Sequence, residues 1–530
     1  MKIIEIVANP NPTSKYKESY SEKYGKYLVA AKKLAAGEVI IREKPVAVGA
    51  ASFNNTCLCF ACLRVIPESP TAKFEVVCSG CNIAIFCSTN CEKNELYHSA
   101  EECQLFKEKL TLDDLKKFNI RSILLPLRLL LIRKQDEELW QKVLKLEAHL
   151  DARRNTLVWK ERQENVVDVL KAFKLIDQSQ TSDELIQQLC GILDVNSFEL
   201  RSPGCLSNPG LCGIYIIAAL MAHDCRGNTF LTVDDEFQLT IYASKPIEEG
   251  EPIFFNYTSS LVGTAARQAH LLQGKYFECD CKLCDDPEEL GANLSSLLCS
   301  KCKQGIVRFE GRSKRNFYAP EKNWKCNMCG RLLSGCLIKT TLELTKFKID
   351  ELENGSIKEL EILLKKLLLT FHSNHFLVLA LKQKLLELYR HEVTNLNPKK
   401  QALMRIIELC KEVLQVLEIV EPGLSRLKGI MLYELHLPIM ILADRNYVAR
   451  EITLEEMTKR LEEAESYLKK SLSMILLEPA TTPEGRLAKR ALQDLKNLRQ
   501  NLEDVRSLPS AIATNVYSKN DKKTKIKNRK

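Results

Sequence analysis

Between residues 24 and 50, apolar and polar positions alternate in short runs: GKYLVAAKKL, a turn at Ala36-Gly37, then EVIIREKPVAVG. A two-residue period sends successive side chains to opposite faces, so this stretch predicts two strands of a β-hairpin-like unit. The period lengthens over 104–190, where SILLPLRLLLIRKQDEELWQKVLKLEAHL and NVVDVLKAFKLI repeat apolar residues every three or four positions. That spacing predicts helices, with a break at Pro126, whose ring removes a backbone donor. Strand-like and turn-like segments return over 195–257, and a short helix follows around Arg267 to Gln273. From about Leu337 to Leu508 the pattern is almost entirely helical, with breaks at Asn354-Gly355, Asn397-Pro398, Glu421-Pro422-Gly423 and Pro479. Six or seven antiparallel helices of similar length suggest a tetratricopeptide-like stack, or a simple bundle.

Length and composition change this picture little. A chain of 530 residues, 45% apolar and 27% charged, predicts three or four domains of ordinary soluble character. The opening MKIIEIVANPNP is too short in apolar residues for a secretory signal, and no stretch approaches the roughly 18 uninterrupted apolar residues of a membrane span. The expectation is an intracellular protein with no membrane partner. The net charge is +9, but Lys519, Lys522, Lys523, Lys525, Lys527, Arg529 and Lys530 stand against Asp521 in the tail. The remainder is nearly balanced, so any nucleic-acid contact would rest on the disordered basic tail at 513–530.

The 21 cysteines change the picture more. In a reducing compartment disulfides are rare, so clustered thiols point to metal. Cys59, Cys62, Cys78, Cys81, Cys87, Cys91, His98 and Cys103 follow one another with C-x2-C, C-x2-C and C-x3-C spacings. Eight ligands suit two tetrahedral zinc ions. Cys279, Cys281 and Cys284 supply three more, and Cys299/Cys302 with Cys326/Cys329 read as a four-cysteine zinc ribbon. Gly330 after the last thiolate favours a tight knuckle. There is no H-E-x-x-H, no phosphate-binding glycine loop and no nucleophile elbow.

The first cluster resembles the MYND zinc finger, whose ligand pairs interleave. The resemblance implies Cys59, Cys62, Cys87 and Cys91 on one ion and Cys78, Cys81, His98 and Cys103 on the other, with Cys57 a spare thiol. The preceding stretch, with its "GE" and "EKP", resembles the opening of a SET domain. That order is found in the SMYD family of SET and MYND lysine methyltransferases. An added ribbon and the wording MAHDC resemble its arthropod-specific SmydA-type branch.

The resemblance implies an α+β architecture: a SET β-fold core split by the finger and a helical insertion, then a zinc ribbon and an all-α TPR-like C-terminal domain. The implied boundaries are 1–50 for the first SET strands, 51–105 for the finger, 106–194 for the insertion, 195–262 for core SET, 263–290 for the post-SET site, 291–336 for the ribbon and 337–512 for the helices. It also implies S-adenosylmethionine as cofactor. Gly25, Lys26 and Tyr27 stand where the family has G-x-G, and Asn196 begins an "NSF" segment that reaches the cofactor. Ala222, His223, Cys225, Gly227 and Asn228 stand on the signature N-H-S-C-x-P-N, alanine replacing its first asparagine and glycine its proline. Losing that amide's bond to a charged partner costs about 1.5–3 kcal/mol, roughly ten- to a hundredfold in affinity.

Tyr257 would border the channel where a lysine amine meets the methyl group, and Phe277 would pack on the adenine. Cys225 would complete the set of Cys279, Cys281 and Cys284, for about four zinc ions in all. Cys190, Cys205, Cys212, Cys336 and Cys410 are then plain thiols. The implied activity is protein-lysine N-methylation of histone or non-histone protein substrates, in cytoplasm and nucleus, with a co-repressor or proline-rich peptide at the finger. The substitutions at Tyr27 and Ala222 motivate a second expectation: a catalytically weak or inactive scaffold acting in protein interaction or transcriptional repression.

Overall fold

The computed structural model describes residues 6–7, 14–50, 57–66, 76–93, 98–204, 210–311, 317–321, 323–393 and 398–507. The basic tail, Cys205 and Asn397 lie outside the described residues. Internal contacts separate two units: residues 1–258, 268–279 and 481–483 form one, and 259–267, 280–480 and 484–530 the other.

In the first unit, Tyr16–Ser21 and Gly25–Ala30 form an antiparallel hairpin running from Tyr16↔Ala30 to Ser21↔Gly25. Gly25 takes φ +65 at the start of the returning strand, a conformation that other residues adopt only at a cost. The hairpin expected across Ala36-Gly37 does not form. Val39–Glu43 pairs instead with Leu239–Ala243, and Ala47–Ala50 with Leu211–Ile214, both antiparallel. Alternation fixes which face of a strand is buried, not which strand lies beside it. Leu28, Ile41, Val48, Tyr215, Leu239 and Ile241 fill the core that these pairings create.

The helix Ile120–Gln135 runs straight through Pro126, where a break was expected. A proline inside a helix costs about 3 kcal/mol, but each fully buried aliphatic side chain returns roughly 1.5–3 kcal/mol. Here both faces are buried. Ile123, Leu124 and Leu127 pack with Phe60, Phe86 and Phe106, while Leu125, Leu129 and Ile132 pack with Trp140, Val143 and Ile214.

The second unit contains a sheet of four short antiparallel strands, Leu297–Leu298, Ile306–Phe309, Trp324–Cys326 and Leu332–Leu333, in chain order. Seven helices follow: Gly335–Glu351, Ile357–Leu367, Phe376–Val393, Lys400–Val420, Arg426–Val448, Leu454–Ile475 and Pro483–Ser507. The breaks expected at 354–355, 421–423 and Pro479 fall between them. Ser356 starts one helix with a capping box: its hydroxyl accepts from Glu359 N, and the Glu359 carboxylate accepts from Ser356 N at 2.8 Å. Glycine at 429 lets two helices pack closely, since a Cβ there would approach Ile475 to 2.7 Å. Among the described residues no helix is long and apolar enough to cross a membrane.

Candidate functional site

The cysteines of the first cluster assemble in the interleaved sets that the resemblance implies. Cys62 and Cys87 sulfurs lie 3.6 Å apart and Cys87 and Cys91 3.5 Å apart, with Cys59 in the same group. In the interleaved set, Cys78 and Cys103 sulfurs are 3.6 Å apart, and Cys81 Sγ lies 3.6 Å from His98 Nε2. Four thiolates about 2.3 Å from a central zinc stand about 3.8 Å from one another, whereas a disulfide would bring two sulfurs to about 2.05 Å. The observed spacing therefore fits a shared ion. Gly80 is required here, because a Cβ would sit 2.7 Å from Cys103 Sγ.

His98 shows why this set faces the way it does. Its Nδ1 lies 2.8 Å from Glu102 Oε1, so the other ring nitrogen is left for metal. Burial pushes the Glu102 carboxyl up, but Arg128 and His98 outweigh it and hold the pKa below the usual value. Arg128 Nε donates to Glu102 Oε2 at 2.8 Å, and its Nη1 donates to Val48 O at 2.7 Å. One guanidinium on the helix Ile120–Gln135 thus joins the cysteine cluster to the strand Ala47–Ala50. Sequence reasoning passed over Glu102 and Arg128; the signal for the first was a carboxylate four residues after a histidine ligand.

Cys225 turns toward the later cysteines: its sulfur lies 3.9 Å from Cys279 Sγ, and Cys225, Cys279, Cys281 and Cys284 form one ligand group. In the ribbon, Cys299 and Cys329 sulfurs are 3.6 Å apart and Cys302 and Cys326 3.7 Å apart. Gly305 N donates to Cys302 Sγ at 3.3 Å and Cys329 N to Cys326 Sγ at 3.5 Å, backbone donors that favour thiolate. Gly330 takes φ +68, as its place after the last thiolate suggests, and a Cβ at Gly305 would meet Cys326 Sγ at 2.3 Å. All four ligand sets suit structural zinc.

Tyr27, Ala222, His223, Tyr257 and Phe277 gather around the parallel pair Ala222–His223 and Phe254–Phe255. Buried Asn228 fastens it, donating to Pro252 O at 2.8 Å and accepting from Phe254 N at 2.7 Å. His223 Nδ1 accepts from Tyr257 N at 3.0 Å, and its Nε2 lies 3.3 Å from Cys225 Sγ, so the ring is spent on holding the metal loop against the strand end. The Tyr257 hydroxyl donates to Met221 O, and burial raises its pKa. Its ring centroid lies 5.0 Å from that of His223, which in turn lies 5.7 Å from Phe277.

Three candidates have surroundings that spacing could not reveal. Tyr27 is buried and packs with Ala222, Val29, Tyr24 and Phe254, its ring centroid 5.3 Å from that of Tyr24. The phenol that replaces a glycine and the methyl that replaces an asparagine therefore share one apolar cluster. Lys26, between Gly25 and Tyr27, is exposed. Asn196 ends the helix Asp183–Asn196 and spends its amide nitrogen on Glu147 O at 2.7 Å and Ile192 O at 2.8 Å.

A SET domain model matches residues 25–258, ending one residue beyond Tyr257. The SmydA-8 protein, isoform B, of Drosophila melanogaster is 25% identical over 312 residues, covering 58% of this chain and 64% of the relative. The histone-lysine N-methyltransferase ASHR1 of Arabidopsis thaliana is 22% identical over 438 residues, covering 77% and 83%. The N-lysine methyltransferase SMYD2-B of Danio rerio is 28% identical over 214 residues, covering 39% and 47%. A SET domain whose first strands are followed by an interleaved two-ion cysteine module is an arrangement that makes this chain similar to the SET and MYND proteins. The chain spans 64% of the length of the two SmydA-8 isoforms, to which it is 25% and 26% identical, and it is similar to that SmydA-like branch.

Proposed function

We propose that the protein is an S-adenosylmethionine-dependent protein-lysine N-methyltransferase. The observation that carries this reading is Tyr257, held at the end of the Phe254–Phe255 strand by its own N–H to His223 and its hydroxyl to Met221 O. Methyl transfer asks little general acid–base work of side chains; a desolvated amine must be aligned, and a fixed aromatic wall does that. Gly25 would leave room for a cofactor, because nothing lies within 4 Å of where its Cβ would be, and the half-buried Phe277 ring would pack on the adenine. The bound cofactor would supply an electrophilic methyl group. His223, with both ring nitrogens spent, would offer backbone only. The substrate class we propose is a protein lysine, histone or non-histone.

The apolar cluster of Tyr27 and Ala222 favours a second reading, a scaffold with weak or absent methyl transfer. Calorimetric titration of the zinc-loaded chain with S-adenosylmethionine separates the two. Micromolar binding supports the enzyme; no heat at millimolar cofactor removes it. In the double variant Tyr27→Gly/Ala222→Asn, affinity should rise roughly ten- to a hundredfold, the worth of about one charge-assisted hydrogen bond.

A further inference from the structure

The helix Thr264–Lys275 ends with a lysine whose amine does not reach solvent freely. Lys275 Nζ donates to the carbonyl of Val195, in the last turn of Asp183–Asn196, and lies 5.6 Å from the centroid of the Tyr257 ring. The next residue, Tyr276, takes φ +61, and its ring packs 5.1 Å from His149. That left-handed turn, uncommon outside glycine, is held by the ring contact and sets where the helix end delivers its side chain. The acidic groups facing Lys275 are Asp194 and Glu199, but Asp194 is committed to Arg153 at 2.6 Å and to Arg162. Burial pushes the Lys275 amine below the ordinary lysine value.

We propose that Lys275 is itself a methyl-acceptor site, an amine of this chain presented in cis to the wall formed by Tyr257. This rests on the methyltransferase reading above. The surroundings are those an acceptor needs: one carbonyl oxygen fixes an N–H, one aromatic face covers the head group, and a fully solvated ammonium is disfavoured. In the step, the lone pair of the neutral amine attacks the methyl carbon of a sulfonium donor. An N–C bond forms as the C–S bond breaks; sulfur keeps the pair and leaves as a thioether, and the new ammonium releases one proton to water.

The full-length, zinc-loaded protein is incubated with S-adenosylmethionine carrying an isotopically heavy methyl group, then mapped by peptide mass spectrometry, with cofactor binding measured in parallel by calorimetry. The expected result is a heavy methyl on the peptide bearing Lys275, at a first-order rate independent of protein concentration. Lys275→Arg, which keeps a cation near Val195 O, should remove that mark. Cofactor binding with no methyl at Lys275 overturns the proposal and leaves the amine as a helix cap. A rate that grows with protein concentration also overturns it, since the transfer would then be between chains. Absence of cofactor binding overturns both this proposal and the reading beneath it, and calorimetry tells that case from the others.

Discussion

The histidine-bearing ligand set of the finger and the ligand set of the ribbon share a sulfur spacing but not an environment. Around the first, His98 leans on Glu102, Glu102 on Arg128, and Arg128 on Val48 O, all in the interior. Around the second, Cys302 and Cys329 are half-exposed, and Gly305 N and Cys329 N, backbone groups within the knuckles themselves, donate to the sulfurs. Two four-ligand sets of nearly the same chemistry, one with three cysteines and a histidine and one with four cysteines, therefore serve two purposes. In the finger the metal is the end of a chain of buried charges that ties three parts of the first unit together; in the ribbon it closes a small sheet on its own.

The largest effect should come from cutting the buried chain. Glu102→Ala leaves Arg128 without its carboxylate and should destabilise the first unit by about 3–5 kcal/mol, read by chemical denaturation of the zinc-loaded protein. An equal loss from the isosteric Glu102→Gln would show that charge matters as much as the hydrogen bond. Next, Gly305→Ala crowds the ribbon sulfurs and should cost about 1–3 kcal/mol, with loss of one zinc ion by elemental analysis and three retained. Loss of finger zinc in that variant would break the contrast. The smallest effect is expected from Ser356→Ala, which removes a helix cap in the second unit for about 1 kcal/mol and should leave zinc content unchanged.

The ligands were legible because metal spacing is local: a C-x2-C pair declares itself within four residues, and Cys225 needed only the resemblance to find its group. Strand partners were not, since Val39–Glu43 waits for Leu239–Ala243 and alternation says nothing about distance along the chain. Pro126 misled for a related reason, as a helix buried on both faces outweighs one lost hydrogen bond. Tyr27 and Ala222 were each seen as departures, but their mutual contact depends on a fold that brings positions almost two hundred residues apart together. Lys275 left no mark in the pattern at all, because its meaning lies in a helix end and a ring from another segment.

The pairing of Val39–Glu43 with Leu239–Ala243 carries a consequence for biosynthesis. At about 5–20 residues per second, a ribosome needs roughly 10–40 seconds to supply the missing partner after the earlier strand has emerged. Throughout that interval a hydrophobic edge stands open to neighbouring nascent chains, so yield in a heterologous host should depend on holdase chaperones and on slow, cool expression more than on the final stability of the folded molecule.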